Sequence, residues 1–171
     1  LPELWNVGFI NYDRYHAESE LIDGPTASAI SAKAKELGAY VHGGSIVEKR
    51  NNAYYNTSLF FDRAGTLIGS YRKIHLFTFQ SREPELLSPG TELAVIDTEF
   101  DKMALATGYD LRFPEFYRKM SDMGMDFSLV PACWPYPRQE PWEVLNQARA
   151  IENTCYLISC NAAGSQGGTL Y

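Results

Sequence analysis

The sequence predicts an α/β domain built in layers. Two features carry this reading: apolar segments of strand and helix character alternate along the chain, and two short hairpins are inserted among them. Its 171 residues, 45% hydrophobic and 21% charged, suit one domain of ordinary globular composition. A chain of this size buries about two-thirds of its unfolded surface, enough for a core of its own.

The elements follow in order. Asp23-Gly24-Pro25 starts a helix with Pro at its first turn, and Gly38 stops it. Ile30, Ala34 and Leu37 fall on one face between them. Tyr40 to Val47 reads as a strand, followed by a polar turn at Arg50-Asn51-Asn52. Thr57 to Phe61 and Thr66 to Tyr71 pair across the short loop Asp62-Arg63-Ala64-Gly65. Phe77 to Gly90 has little periodicity and two prolines, the pattern of a surface excursion. Leu93 to Ile96 and Met103 to Ala106 form a second hairpin. A helix from about Arg112 to Met123 turns Phe113, Phe116, Tyr117 and Met120 inward, and Phe127 to Val130 is a buried strand. Pro141 opens another helix with Trp142, Leu145, Ala148 and Ile151 on one side, before a short apolar strand from Cys155 to Ser159. There is no repeat, low-complexity tract or domain linker.

Charge and cysteine usage narrow the function classes. Fifteen basic residues against 21 acidic ones give a net charge of −6, which weighs against a nucleic-acid or anionic-membrane partner. No apolar run approaches the roughly 20 residues of a membrane span, and no signal peptide is visible. Cys133, Cys155 and Cys160 are too few and too unevenly placed for a disulfide framework or a zinc site, so the expected setting is reducing and cytoplasmic. The chain opens on Leu1 and stops in a Gly-rich turn, so both ends read as cuts through a longer fold.

Three segments have the character of a chemical site. Met103 to Glu115 is a strand turning sharply into a helix at Gly108; such an elbow exposes one side chain and aims backbone N–H groups at it, or Gly108 merely permits a tight turn. In Tyr71-Arg72-Lys73-Ile74-His75-Leu76-Phe77, alternation sends Arg72 and Lys73 to opposite faces. A lysine drawn inward holds a developing oxyanion by charge; its alternative is an edge-strand surface lysine. Glu3, beside Pro2 and Leu4-Trp5, and Glu83, in a Pro-containing loop, are either solvated or held among apolar neighbours with a raised pKa suited to proton transfer.

These pieces, with Gly43-Gly44-Ser45, Tyr54-Tyr55-Asn56-Thr57, Leu87-Ser88-Pro89-Gly90 and Ala148-Arg149-Ala150-Ile151-Glu152-Asn153, resemble the nitrilase superfamily of carbon–nitrogen hydrolases. The motifs stand in the family's order across essentially the whole chain, and the flavour is that of the amidase, omega-amidase-like branch. The resemblance implies a four-layer α-β-β-α sandwich, here the central part of a longer domain, that pairs into an eight-layer homodimer. It implies a small-molecule amide substrate and no cofactor or metal. By position, Glu3 matches the general base, Lys73 the lysine that holds the tetrahedral intermediate, and Glu83 the second glutamate of the pocket, with Glu85 two residues away.

The departure is at the nucleophile. The family writes Cys-Tyr-Asp at the elbow, and here Gly108-Tyr109-Asp110 stands in its place. A glycine has no side chain to form a thioester, so the chain as written is expected to be inactive. The Tyr109 backbone N–H is expected to point into the pocket beside Lys73. Cys133 is the one candidate stand-in thiol, while Cys155 and Cys160 are expected to be small buried hydrophobes. Trp134 and Tyr136 either line the pocket or pack in the core, and His75 is expected to be a packed structural residue.

Overall fold

Three antiparallel strands, β1 (Val41–Arg50), β2 (Ala53–Phe61) and β3 (Leu67–Arg72), form the first sheet of the computed structural model, which describes residues 1–171. The second sheet, in the order β4 (Ala94–Asp97), β5 (Lys102–Leu105), β6 (Phe127–Ala132) and β7 (Tyr156–Asn161), begins with an antiparallel hairpin and continues with two parallel pairings. Parallel neighbours need crossovers, supplied by α3 (Pro114–Asp122) and α4 (Gln139–Asn153). α1 (Pro25–Leu37) packs on the first sheet, α4 packs on β7, and β3 meets β4 where the sheets face each other. The layers therefore run α-β-β-α. A short hairpin, β8 (Ser165–Gln166) and β9 (Thr169–Leu170), follows. No helix is long and apolar enough to cross a membrane.

Alternation in β2 explains how one strand serves two cores. Leu59 and Phe61 meet Ile30 and Ala34 of α1, while Phe60, on the opposite face, joins the larger cluster that holds Tyr71, Leu105, Val130 and Met120. Each such apolar side chain contributes roughly 1.5–3 kcal/mol on full burial. Leu37, expected on the buried face of α1, is exposed: it is the last residue of the helix, beside the left-handed Gly38 cap. β1 continues to Arg50, so the turn falls at Asn51 and Asn52, with Asn51 in left-handed conformation.

Three further expectations are corrected. The segment from Phe77 to Gly90 is not wholly a surface excursion: it holds a four-residue helix, α2 (Glu83–Leu86), with Glu83, Leu87 and Gly90 buried. Ser88 N–H donates to Tyr54 O (2.7 Å) and Gly90 N–H to Lys73 O (2.9 Å), so long-range bonds that leave no periodicity tie the segment inward. On α4, Ile151 is 78% exposed whereas Arg149 and Asn153 are buried. Arg149 Nε donates to Leu111 O (2.9 Å) and its guanidinium lies over the Tyr117 ring, so its charge is satisfied below the surface. β7 is an edge strand that leaves Tyr156, Ile158 and Cys160 exposed, and Cys155 is half-buried, so neither cysteine is a fully buried hydrophobe.

Candidate active site

The N-terminal segment reaches the centre of the molecule because β1 makes room for it. The register of β1 against β2 slips between His42 and Ser45, and Gly44 there has a φ of +67°. A Cβ on Gly44 would collide with the Pro2 carbonyl, so only glycine admits this crossing. Ser45 N–H then donates to Pro2 O (3.2 Å), and Leu4 N–H to Ser45 Oγ (3.0 Å). Between these two anchors Glu3 points inward, 2% exposed. Leu4 adopts a φ of +45°, an uncommon backbone for a non-glycine residue, held by its packing with Val7, Phe9, Tyr15 and Val47.

Strand alternation brings Lys73 to the same place. Arg72 turns outward to a two-pronged contact with buried Glu48 (2.8 and 2.7 Å), so Tyr71 and Lys73 turn between the sheets. Lys73 Nζ, 1% exposed, donates to Glu3 Oε1 (2.7 Å) and to both oxygens of Glu83 (3.1 and 3.0 Å). Glu83 also accepts from Phe77 N–H (2.6 Å), whereas Glu85 lies at the surface against Arg82. Asn56 Nδ2 bridges the two carboxylates, at 2.8 Å from Glu3 and 3.0 Å from Glu83. Asn56 is the member to which sequence reasoning gave no role; it heads a run of three buried polar residues, Asn56-Thr57-Ser58, in β2.

Two buried carboxylates thus share one ammonium. Burial raises the Glu3 carboxyl above its ordinary value of 4.5; Lys73 pulls it down and Glu83 pushes it up again, leaving it raised. Burial works against the Lys73 charge, yet Glu3 and Glu83 outweigh it and hold the ammonium above its usual range. A carboxyl raised in the folded state adds stability that is whole below the unfolded value and lost as pH rises through the folded value. Glu3→Gln removes that dependence. The stability of the parent relative to this variant is therefore expected to fall as pH rises from about 4.5, read from urea midpoints across pH.

The elbow after β5 carries Gly108 at the head of a 3₁₀ turn, Gly108–Arg112, with a φ of +45°. Thr107 and Asp110 form a reciprocal capping box, and Thr107 Oγ1 also contacts Ser58 Oγ of β2 (2.9 Å). Asp110 is fully buried and accepts from Thr107 N–H (2.9 Å), Tyr71 O–H (2.8 Å) and His75 N–H (3.1 Å), with His75 Nδ1 at 2.8 Å. His75 stacks on Phe113 at 3.6 Å between ring centroids, a packed histidine that helps pin the chain beyond Lys73. Asp110→Asn places an NH2 against this set of donors. It is expected to lower unfolding free energy by roughly 2–3 kcal/mol in urea titrations.

Glu3, Lys73, Gly108, Tyr109, Cys133 and Trp134 line one cavity of about 280 Å³, while Glu83 stands behind Lys73. Tyr136 is exposed and lies outside this cavity, beside Trp142 in a neighbouring hollow, although Pro137 and Arg138 of the same 3₁₀ turn line the cavity. A Cβ on Gly108 would overlap Glu3 Oε2, so the carboxylate fills the volume where a side chain at the elbow would begin. Glu3 Oε2 is further held by Cys133 N–H (3.2 Å). The Cys133 thiol donates to the main-chain oxygen of Glu3 (3.1 Å), and burial, followed by the charge of Glu3, pushes its pKa up. That is the setting of an unactivated thiol.

Similarity to known proteins agrees with this architecture. The chain is 38% identical over 172 residues to the 2-oxoglutaramate amidase of Paenarthrobacter nicotinovorans, covering 96% of this chain and 58% of that protein. It superposes on a CN-hydrolase superfamily protein from Xanthomonas campestris, with an arsenic adduct in its active site, at a TM-score of 0.92 and 33% identity, over 100% of this chain and 65% of that one. An alanine-for-cysteine mutant of the amidase from Nesterenkonia sp. AN1, in complex with butyramide, gives a TM-score of 0.89 at 26% identity, over 99% and 64%. The chain thus spans 58–65% of the length of these three proteins. The carbon–nitrogen hydrolase family model matches residues 1–171, and the chain belongs to that family.

Proposed function

We propose that the cavity is an amide site of the amidase type, built for cleaving a non-peptide C–N bond of a small amide, and that the chain with glycine at position 108 holds such an amide without turning it over. The observation that carries this reading is the buried Glu3–Lys73 pair, opening into a cavity at the elbow where Gly108 stands. With a thiol at that elbow, Glu3 would take its proton and the thiolate would attack the amide carbon. Lys73, with the Tyr109 N–H, would hold the oxyanion. Ammonia or an amine leaves with a proton, and water, deprotonated by Glu3, then opens the thioester. Without the thiol only the binding half of this sequence remains.

The second reading is a pseudoenzyme that binds a small amide or acid, or serves as an assembly partner, without turnover; the Nesterenkonia amidase with alanine in place of a cysteine, found in complex with butyramide, supports its binding form. Calorimetry with small linear amides beside an ammonia assay tests both. Saturable binding without ammonia is expected from the unaltered chain; ammonia release would overturn the inactivity, and absence of binding would overturn the amide site. The family resemblance supports homodimer formation, which light scattering checks, and the absence of disulfides fits a reducing cytoplasmic setting.

A further inference from the structure

Beside the amide cavity lies a second hollow of about 280 Å³, and the two share a wall. Trp134, Pro135 and Tyr171 line both spaces, whereas Trp142 and Tyr136 line only the second. A space of about 150 Å³ already takes a benzene ring. What the second hollow offers a ligand is aromatic: the Trp134 and Trp142 rings stand 5.4 Å apart between centroids, tilted by 45°. Its polar groups are engaged with one another. Asn161 Oδ1 accepts from Trp134 N–H (2.6 Å) and Asn161 Nδ2 donates to Trp134 O (2.9 Å). At the exposed rim, Gln139 Nε2 donates to Glu143 Oε1 (2.6 Å).

The three parts of the shared wall are not equally fixed. Trp134 is buried, tied through its main chain to Asn161 and through Nε1–H to Arg138 O (2.7 Å), and Pro135 has a locked φ. Tyr171 reaches the wall from the β8–β9 hairpin, whose two-residue turn is Gly167-Gly168, with φ of +52° and +82°. Alternation then puts Thr169 and Tyr171 on the cavity side and leaves Leu170 exposed. Tyr171 N–H donates to Gly164 O (2.9 Å), but no hydrogen bond holds its phenol ring. Burial, then the nearness of Cys133, Tyr12 and Glu3, pushes the pKa of that phenol up, in keeping with a hydroxyl turned toward the amide cavity.

We propose that Tyr171 is a specificity-determining residue: its ring is the unanchored part of the wall, confines the ligand to a small linear amide, and closes off a subsite for an aryl group between Trp134 and Trp142. The ligand class that the two joined spaces take is an amide bearing an aryl substituent, with the amide against Glu3 and Lys73 and the ring in the second hollow. This rests on the amide-site reading above and adds what limits the bulk of the ligand. Tyr171 shapes the space and takes no part in bond cleavage.

Calorimetry tests the inference with three probes: butyramide, 4-phenylbutyramide, which carries the ring on the acyl end, and N-benzylbutyramide, which carries it on nitrogen. In the unaltered chain neither aryl amide is expected to bind more tightly than butyramide. In Tyr171→Ala at least one of them is expected to gain on the order of tenfold relative to butyramide, as burial of a ring allows. Tyr171→Phe keeps the ring and is expected to match the parent. Tyr171→Leu is expected to gain less than the alanine form, and serves in its place should alanine cost the fold. Adding Trp142→Ala, outside the amide cavity, is expected to cancel the gain. An aryl amide already favoured by the parent, a ratio unchanged by Tyr171→Ala and Tyr171→Leu, or a gain that survives Trp142→Ala overturns the aryl subsite and leaves the amide site standing. Failure of butyramide to bind the parent overturns the amide site and this inference with it.

Discussion

Gly108→Cys is expected to convert the chain into one that releases ammonia from small linear amides, a gain of at least on the order of 10³-fold over the parent. On the proposed reading the groups such a thiol needs are Glu3, buried beside the elbow, and Lys73, whose Nζ lies 2.7 Å from Glu3 Oε1. Two costs accompany the substitution. At a φ of +45° a residue with a Cβ costs roughly 1–2 kcal/mol relative to glycine. The Cβ also overlaps Glu3 Oε2, so the carboxylate must swing aside. Oε2 is the end of a flexible side chain, so the carboxylate can give way, at the cost of its bond from Cys133 N–H (3.2 Å) while Asn56 and Lys73 retain Oε1. Gly108→Ala carries the same backbone cost with no nucleophile and is expected to melt like the cysteine variant while remaining silent. Adding Glu3→Gln to the cysteine variant is expected to silence it again. A cysteine variant that folds and binds amides but yields no ammonia would show that Glu3 and Lys73 do not form a catalytic pair.

Lys73→Met is expected to have the largest effect on stability. It leaves Glu3 and Glu83 facing each other in the interior, with Asn56 as the remaining bridge. Removing one partner of a buried ion pair costs about 3–5 kcal/mol, against a total stability of about 5–15 kcal/mol for a domain. The loss is expected to depend on pH. Without the ammonium Glu3, already raised by burial and by the neighbouring Glu83, is harder still to ionise in the folded chain, so stability returns as pH falls toward the carboxylate range and drops as it rises. Lys73→Met combined with Glu83→Gln removes one of the opposed charges and is expected to be more stable than Lys73→Met alone, a non-additivity that urea titrations of the four forms would measure. Additive effects would mean that the three groups do not act as a unit.

The α/β class, both hairpins and the elbow were legible in the sequence because they rest on local rules. Period-2 alternation separated Arg72 from Lys73, and it holds in the structure, where one meets Glu48 and the other meets Glu3 and Glu83. The order of short motifs was enough to identify the family. Contacts between distant segments were not legible in the residue pattern itself; the family resemblance alone grouped Glu3, Lys73 and Glu83. Residues 3, 56, 73 and 83 meet because Gly44 admits the N-terminal segment and because Ser88 and Gly90 tie α2 inward, and no periodicity encodes either event. The same holds for Ile151 and Arg149: helical spacing marks which residues share a face, but the neighbouring Leu111 carbonyl and Tyr117 ring decide that the arginine is the one buried. The sequence by itself determined most of the elements and the absence of a thiol at the elbow. Tertiary structure alone decided that Asn56 bridges the two carboxylates and that the Glu3 carboxylate fills the volume beside Gly108, because burial and charge pairing are properties of segments packed together and not of any one of them.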